Sequence, residues 1–148
     1  DFCFPLGIKI AIYPHVGHYC ERVSHAVKLA EQVNRRNAGV VFNLCHYFKV
    51  EGPKGWQSAI RLAMPFLFMV SINGTDIADE TTKWDWDRLI QPLGEGSFDT
   101  YKLVKYVKDL GYSGPFGLQC YNIKQDCETA LRKSVETWKS YQKRYSRE

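Results

Sequence analysis

The sequence has no apolar run of the roughly 18–20 residues that a membrane-spanning helix needs, so no membrane partner is expected. It also has no secretory signal pattern at its start and no paired cysteine spacing. The five cysteines are odd in number, and three of them sit in or beside apolar segments. We therefore expect reduced thiols in a cytoplasmic protein.

The sequence also lacks a strong excess of charge of either sign. Net charge is only +4, positive and negative residues are interspersed, and the one basic cluster lies in residues 139–147. A nucleic-acid footprint needs a focused basic face, so no nucleic-acid partner is expected. The sequence also has no dinucleotide fingerprint, nucleophile elbow or paired-cysteine zinc motif.

What is present is an alternation of two kinds of apolar segment. The predicted strands are residues 7–13, 40–45, 66–72, 89–93 and 115–121, and the predicted helices are residues 21–34, 55–63, 100–110 and 127–145. Strands that alternate with helices indicate a parallel sheet and an α/β fold. The length of 148 residues, without a repeat or a linker, fits a single domain over residues 1–148.

The two faces of the predicted strands differ in polarity. One face is apolar throughout and would pack on helices, whereas the other becomes polar near the C-terminal strand ends. The polar residues there carry no charge; they are Tyr13, Asn43, Ser71, Asn73, Gln119 and Tyr121. Ligands of parallel sheets bind at these ends, and burying an unpaired amide costs about 1–3 kcal/mol. The pattern predicts a substrate-binding site, with a self-satisfied polar layer as the alternative.

The uncharged side chains favour a small sugar or polyol as the ligand. Amides and hydroxyls both donate and accept hydrogen bonds, which suits neutral, hydroxyl-rich molecules. Near them lie three histidines, which titrate close to physiological pH. We take His15 and His46 as candidate catalytic residues. They could instead donate hydrogen bonds to a polyol or, with His18, hold a metal ion.

Several other residues have two interpretations each. Glu95, between two glycines, is a candidate catalytic acid or a solvated loop residue. Asp76 is a candidate base or a turn residue. Three tryptophans could form a carbohydrate platform or cover the helix layer: Trp56, Trp84 and Trp86.

Five segments together resemble one known family. They are Tyr13-Pro14-His15, Asn43-Leu44-Cys45-His46, Ser71-Ile72-Asn73-Gly74-Thr75-Asp76, Pro92-Leu93-Gly94-Glu95-Gly96-Ser97-Phe98-Asp99, and the run from Gly111-Tyr112-Ser113-Gly114 to Gln119. In this order they are similar to the xylose isomerase-like TIM barrels, the sugar phosphate isomerase/epimerase family. The resemblance covers nearly the whole chain and implies a parallel (β/α) barrel.

The resemblance also implies that part of a barrel is missing. A TIM barrel has eight strands, and the predicted strands match the family's strands four to eight. Residues 1–148 would then be the C-terminal part of the barrel. An N-terminal half-barrel or a homo-oligomer would complete the sheet.

For chemistry, the resemblance implies a sugar isomerase or epimerase that uses a divalent metal. By alignment, the family's carboxylate and histidine ligands fall on Tyr13, Asn43, Ser71 and Gln119. Hard cations want charged oxygen ligands, and an amide cannot act as a general base. We therefore expect no cofactor, and His15, His46 and Glu95 in place of the metal and carboxylates.

Whether the chain is an enzyme stays open at this point. The alternative is a non-catalytic relative of the family that binds a carbohydrate. A nuclease of the related endonuclease barrels fits poorly, because that chemistry needs several metal-binding histidines and acidic residues at the strand ends.

Overall fold

The computed structural model describes residues 2–77 and 85–148, and their sheet is parallel throughout. The strands are β1 (Ile10–Ile12), β2 (Ala38–Asn43), β3 (Leu67–Ile72) and β4 (Phe116–Leu118), which neighbour each other in chain order. Each connection between strands contains at least one helix. The predicted α/β class with a parallel sheet is confirmed.

Within the described residues, six helices connect or follow the strands. They are α1 (Val23–Val33), α2 (Leu44–Glu51), α3 (Trp56–Ala63), the short α4 (Trp86–Leu89), α5 (Thr100–Asp109) and α6 (Cys127–Tyr145), with one 3-10 turn at Met64–Phe66. Two of them begin at capping aspartates: Asp99 accepts from the backbone N–H of Tyr101, and Asp126 from that of Thr129. None of the described helices is both long enough and apolar enough to cross a membrane.

The predicted strand over residues 89–93 is wrong. Helix α4 ends at Leu89, and the following chain makes only an isolated antiparallel bridge between Gly74 and Gln91. Leu89, Ile90 and Leu93 are nevertheless buried. A short apolar run predicts burial, but without a period it does not distinguish a strand from an irregular buried segment.

Helix α2 was missed, and the second strand begins and ends two residues earlier than the predicted range of 40–45. Asn43 is the last residue of β2, and its side-chain oxygen accepts from the backbone N–H of His46. Asparagine is a favoured cap, so the chain turns into a helix at Leu44. The side chain predicted to end a strand therefore also starts a helix.

An irregular register in β2–β3 corrects one side-chain direction. Parity along residues 66–72 predicts Phe68 on the helix-facing side, but the register shifts between Val40 and Val41. A Cβ added at Gly39 would lie 2.6 Å from Phe68, and the ammonium of Lys9 lies 5.3 Å from its ring centroid. Such a bulge adds one residue and reverses the alternation on one side of it.

The core lies between the sheet and its helices, and no strand among the described residues pairs with the outer edge of β1 or of β4. Sheet residues Phe42 and Val70 are fully buried, together with side chains of α1, α3 and α5. At the β1 edge, Ile10 is 48% exposed. At the β4 edge, an apolar groove of about 160 Å³ is lined by Ile72, Leu93, Phe116, Gly117, Leu118, Ser134, Val135 and Trp138.

Candidate functional site

A pocket of about 450 Å³ opens beyond the C-terminal ends of the strands. It is lined by Tyr13, His15, Val16, His46, Trp86, Ile90, Gln119 and Tyr121. Tyr13 directly follows β1 and Gln119 directly follows β4, while His46 lies in the first turn of α2. Side chains from both outer strands and from the middle of the sheet therefore reach one cavity. Five of its residues were predicted for the site from the sequence.

A hydrogen-bond network joins three of the predicted residues below the pocket. The side-chain amide of Asn43 donates to the Tyr13 hydroxyl oxygen at 2.5 Å, and the amide of Gln119 donates to the same oxygen at 3.3 Å. Burial raises the pKa of Tyr13, and the neighbouring Cys45 raises it further, against a smaller lowering by the Gln119 bond. Tyr13 therefore remains a neutral phenol at physiological pH.

His46 is the most buried histidine of the pocket, with 5% of its surface exposed. Its ring lies 4.0 Å from that of His15 and meets Tyr13 and Trp86 edge-on, each at 5.6 Å between centroids. The buried Nδ1 has no hydrogen-bond partner. Burial lowers the pKa of His46 to about 4, and repulsion from His15 and His18 contributes. His46 is therefore neutral at physiological pH.

This buried histidine predicts acid sensitivity. The folded-state pKa of His46, about 4, lies below the ordinary value of 6.5. Between pH 4 and pH 6.5 this histidine is therefore protonated in the unfolded chain and neutral in the folded chain. We expect the free energy of unfolding to fall by about 2–3 kcal/mol as the pH drops from 6.5 towards 4. Urea unfolding at several pH values checks this.

The matched variants for that measurement are H46Q and H25Q, because His25 is exposed. H46Q should flatten the decline in stability below pH 6.5, whereas H25Q should leave it unchanged. The same slope in H46Q and the wild type would show that other groups cause the acid sensitivity.

His15 lies at the pocket wall with one ring nitrogen already engaged. Its Nδ1 is 2.8 Å from the carbonyl oxygen of Val16, and its ring lies 4.3 Å from that of His18. His18 is exposed and does not line the pocket. The sequence-predicted pair His15 and His46 is thus brought together, with His18 outside.

Ser71 and Asn73 are buried and do not line the pocket. Ser71 lies in register with Asn43 on one side and Gly117 on the other, in the row beneath the cavity. The amide of Asn73 donates to the carbonyl oxygens of Gly74 and Leu89, both at 2.7 Å. These contacts fix the chain after β3.

Glu95 lies in a neighbouring depression that shares Ile90 with the pocket. Its carboxylate is paired with Lys133 and accepts from Gln125 at 3.0 Å. Hydrogen bonds from Lys133 and then Gln125 lower the pKa of Glu95. The group is therefore ionised at neutral pH, which suits an ion pair better than a proton-donating acid.

Asp76 connects the chain after β3 to α4 and to the loop that contains Glu95. It pairs with Arg88 at 3.1 Å and accepts from the backbone N–H of Ser97 at 3.0 Å. The turn interpretation of this residue agrees with these contacts.

The tryptophans separate into two groups. Trp86 lines the pocket beside Tyr121, whose ring lies 6.5 Å away, while Trp56 packs in the core against Phe98. Trp84 lies outside the described residues. Sequence reasoning missed Val16 and Ile90 in the pocket wall; their apolar character alone carries no signal for a site.

The positions that the resemblance assigns to metal ligands do not fit a hard divalent cation. The Asn43 oxygen already accepts from the backbone N–H of His46 and the thiol of Cys45, both at 3.0 Å. Within residues 2–77 and 85–148, no three His, Cys, Asp or Glu side chains are grouped so that they could hold a metal ion. The side chains at these positions are a tyrosine, two amides and a serine, whereas Mg²⁺ and Mn²⁺ prefer charged oxygen ligands.

A comparison with known protein families found a match over most of the chain. A family model described as a xylose isomerase-like TIM barrel matches residues 1–141. No curated protein matches the chain.

Solved structures of the same fold are similar over most of this chain. An IOLI protein with a bound zinc atom has a TM-score of 0.76 and 20% identity, covering 98% of this chain and 52% of that chain. An L-ribulose 3-epimerase has a TM-score of 0.77 and 12% identity, covering 97% and 50%. A family 2 AP endonuclease from Brucella melitensis has a TM-score of 0.69 and 24% identity, covering 88% and 47%. The chain spans about half the length of these structures.

Proposed function

The chain belongs to the xylose isomerase-like TIM barrel family, and on this premise we propose that it is a sugar isomerase- or epimerase-like protein. In this proposal a small sugar or polyol binds in the pocket at the strand ends. The observation that carries it is the convergence of Tyr13, Gln119 and Tyr121 with two histidines on one cavity. Neutral donors and acceptors of this kind suit hydroxyl groups.

The size and walls of the pocket support a small-molecule ligand. Ligand sites commonly occupy about 300–1,000 Å³ and combine aromatic walls with a few placed polar groups. Trp86 and Tyr121 supply such walls here. Among proteins of the same fold are a D-psicose 3-epimerase with D-tagatose and an L-ribulose 3-epimerase. These two epimerases favour a ketose as the first ligand to test.

The polar residues take separate roles in this proposal. Tyr13, Gln119 and Tyr121 contact the ligand directly, together with the histidines His15 and His46. Asn43 and Ser71 support them from below. Glu95 and Asn73 hold the surrounding loops through their contacts with Lys133 and with two backbone carbonyls.

A second candidate function is carbohydrate binding without catalysis. The absence of charged groups at the four metal-ligand positions favours it, since the family's proton transfer relies on carboxylates there. The two functions share the pocket and differ only in turnover.

We also propose that residues 1–148 form the C-terminal part of a barrel. The chain spans about half of similar structures, and in the part of the chain that the structure describes neither outer strand has a partner at its outer edge. An N-terminal half-barrel or a second copy would complete the sheet. All five cysteines are free thiols, which favours a reducing compartment such as the cytoplasm.

Thermal unfolding with D-tagatose or L-ribulose, each in chelator and in Mn²⁺, tests the binding proposal. A ligand at 100 times its dissociation constant should add about 2.7 kcal/mol. We expect stabilisation by at least one ketose in chelator. The variant Y121A should lose it, whereas Y19A should keep it, because Tyr19 is exposed outside the pocket. Stabilisation only with Mn²⁺, or by neither sugar, would contradict the proposal.

A further inference from the structure

The orientations of two amides in the pocket network are fixed by backbone donors. The Asn43 oxygen accepts from the backbone N–H of His46, and the Gln119 oxygen accepts from the backbone N–H of Tyr121, each at 3.0 Å. A backbone N–H can only donate, so each amide must direct its oxygen there. The NH₂ groups of both amides therefore face Tyr13.

The Tyr13 hydroxyl consequently has both acceptor positions filled. Its oxygen receives one N–H from Asn43 and one from Gln119. A phenol has one proton and two lone pairs, so neither amide nitrogen can receive the proton of Tyr13. That proton is left for a group on the open side, where Tyr13 lines the pocket. The same two N–H donors would stabilise a phenolate after the proton leaves.

His15 has the complementary state. Its Nδ1 contacts the carbonyl oxygen of Val16, which can only accept, so Nδ1 carries the hydrogen. In the neutral ring, Nε2 then holds a lone pair and is a hydrogen-bond acceptor. The rings of Tyr13 and His15 are 6.1 Å apart on one pocket wall.

We propose that Tyr13 and His15 form a proton donor–acceptor pair that enolises an α-hydroxy carbonyl sugar in this pocket. Tyr13 is the general acid and His15 Nε2 the general base. The inference rests on the proposed sugar-binding function. It goes beyond that function by assigning a reaction that does not use the metal ligands of the family. It also gives Tyr13 a catalytic role, although the resemblance aligns this residue with a metal ligand of the family.

The proton and electron changes balance within this pair. His15 Nε2 removes the hydrogen from the hydroxyl-bearing carbon next to the carbonyl, and that C–H electron pair forms the new C=C bond. The C=O π pair moves to oxygen, which takes the proton of Tyr13, giving an enediol, a phenolate and an imidazolium. Return of the proton from His15 to the neighbouring carbon isomerises the sugar. Epimerisation at the same carbon requires the enediol to turn its opposite face towards His15 before the proton returns. Tyr13 regains a hydroxyl proton of the enediol, so no oxidant or reductant is needed.

His46 is not the base in this arrangement. It is buried against Tyr13, His15 and Trp86, and burial lowers its pKa to about 4, which makes it a poor proton acceptor. We assign it to the pocket wall, where its ring packs against the tilted ring of His15. A general base is most effective when its pKa lies near the pH at which the enzyme works.

The test is deuterium exchange of D-tagatose and L-ribulose in D₂O with chelator, followed by NMR at the carbons beside the carbonyl. We expect exchange in the wild type and a loss of about 100-fold or more in both Y13F and H15Q, as is usual for general acid–base residues. H18Q is the matched control, since His18 adjoins His15 but lies outside the pocket; it should exchange at the wild-type rate. Thermal shifts with each sugar report whether Y13F and H15Q still fold and bind.

A second measurement does not depend on turnover or on the folding of a variant. Nitrogen-15 NMR of the wild type should show His15 as the Nδ1–H tautomer at neutral pH. Unchanged exchange in Y13F or H15Q, or the Nε2–H tautomer, would overturn the pair. So would a wild type that binds a ketose without exchange, which leaves the binding proposal intact. A wild type that binds neither ketose contradicts the proposed function itself, and the pair with it.

Discussion

Replacing Gly96 with alanine is expected to lower the free energy of unfolding by about 3–5 kcal/mol, from overpacking and backbone strain together. Gly96 has a φ of +85°, and a Cβ there would lie 2.2 Å from the carbonyl oxygen of Thr75 and 2.9 Å from its nitrogen. These are backbone atoms, so no side-chain rotation relieves the contact. The Thr75 oxygen also accepts from the backbone N–H of Phe98 at 3.0 Å, a bond that any shift would lengthen.

The matched control is G111A. Gly111 has a similar φ of +90°, but nothing lies within 4 Å of its added Cβ. It therefore carries the backbone strain alone, about 1 kcal/mol or slightly more. Urea unfolding of both variants separates the two causes. Equal losses would show that the approach of the two loops contributes nothing and that strain explains everything.

This close contact explains the glycines in two of the five segments that carry the family resemblance. Gly74 is under the same constraint, since its Cβ would lie 2.1 Å from the carbonyl oxygen of Pro92. The two glycines let the loop after β3 and the loop before α5 touch through their backbones. Glu95, between Gly94 and Gly96, was a candidate acid from the sequence, yet its partner is Lys133 on α6. The motif here holds two loops together beside the pocket.

Much of the fold could be predicted because its causes are local. Helix α6 has the predicted bounds of 127 and 145, since an amphipathic pattern follows a capping aspartate. The start of α2 could not be separated from a polar strand end, because Asn43 has the same appearance in both. Phe68 was misplaced because a bulge depends on pairing with β2, and pairing between strands leaves no period in the sequence.

The site divides along the same line. Strand parity predicted Tyr13, Gln119 and Tyr121, because all three fall on the polar face near the C-terminal end of a predicted strand, and all three line the pocket. Parity could not predict that Asn73 turns to the carbonyl of Leu89, because that contact depends on how the chain folds back after β3. The direction in which Tyr13 can donate its proton is likewise decided by the backbone N–H groups of His46 and Tyr121, which orient the two neighbouring amides. Such orientations depend on contacts between segments that are distant in the sequence.

The second large effect that we expect is self-association of the chain alone, through the outer edges of β1 and β4. An edge strand presents unpaired backbone groups that recruit another strand. At both edges apolar side chains accompany them, with Ile10 48% and Val135 49% exposed. Light scattering after size exclusion should show species larger than a monomer, increasing with protein concentration.

Charged substitutions identify which surface drives that association. We expect I10K and V135K each to shift the distribution at least several-fold towards monomer, because lysine at a sheet edge or in an apolar groove opposes pairing. L62K is the matched control, since Leu62 is 48% exposed on α3 and lines neither edge. A wild type that stays monomeric at high concentration would contradict the prediction. An equal effect of L62K would mean that general apolar exposure, and not the open sheet, causes association. If only the edge variants respond, the same two surfaces are where a completing half-barrel would bind, and adding one should compete with self-association.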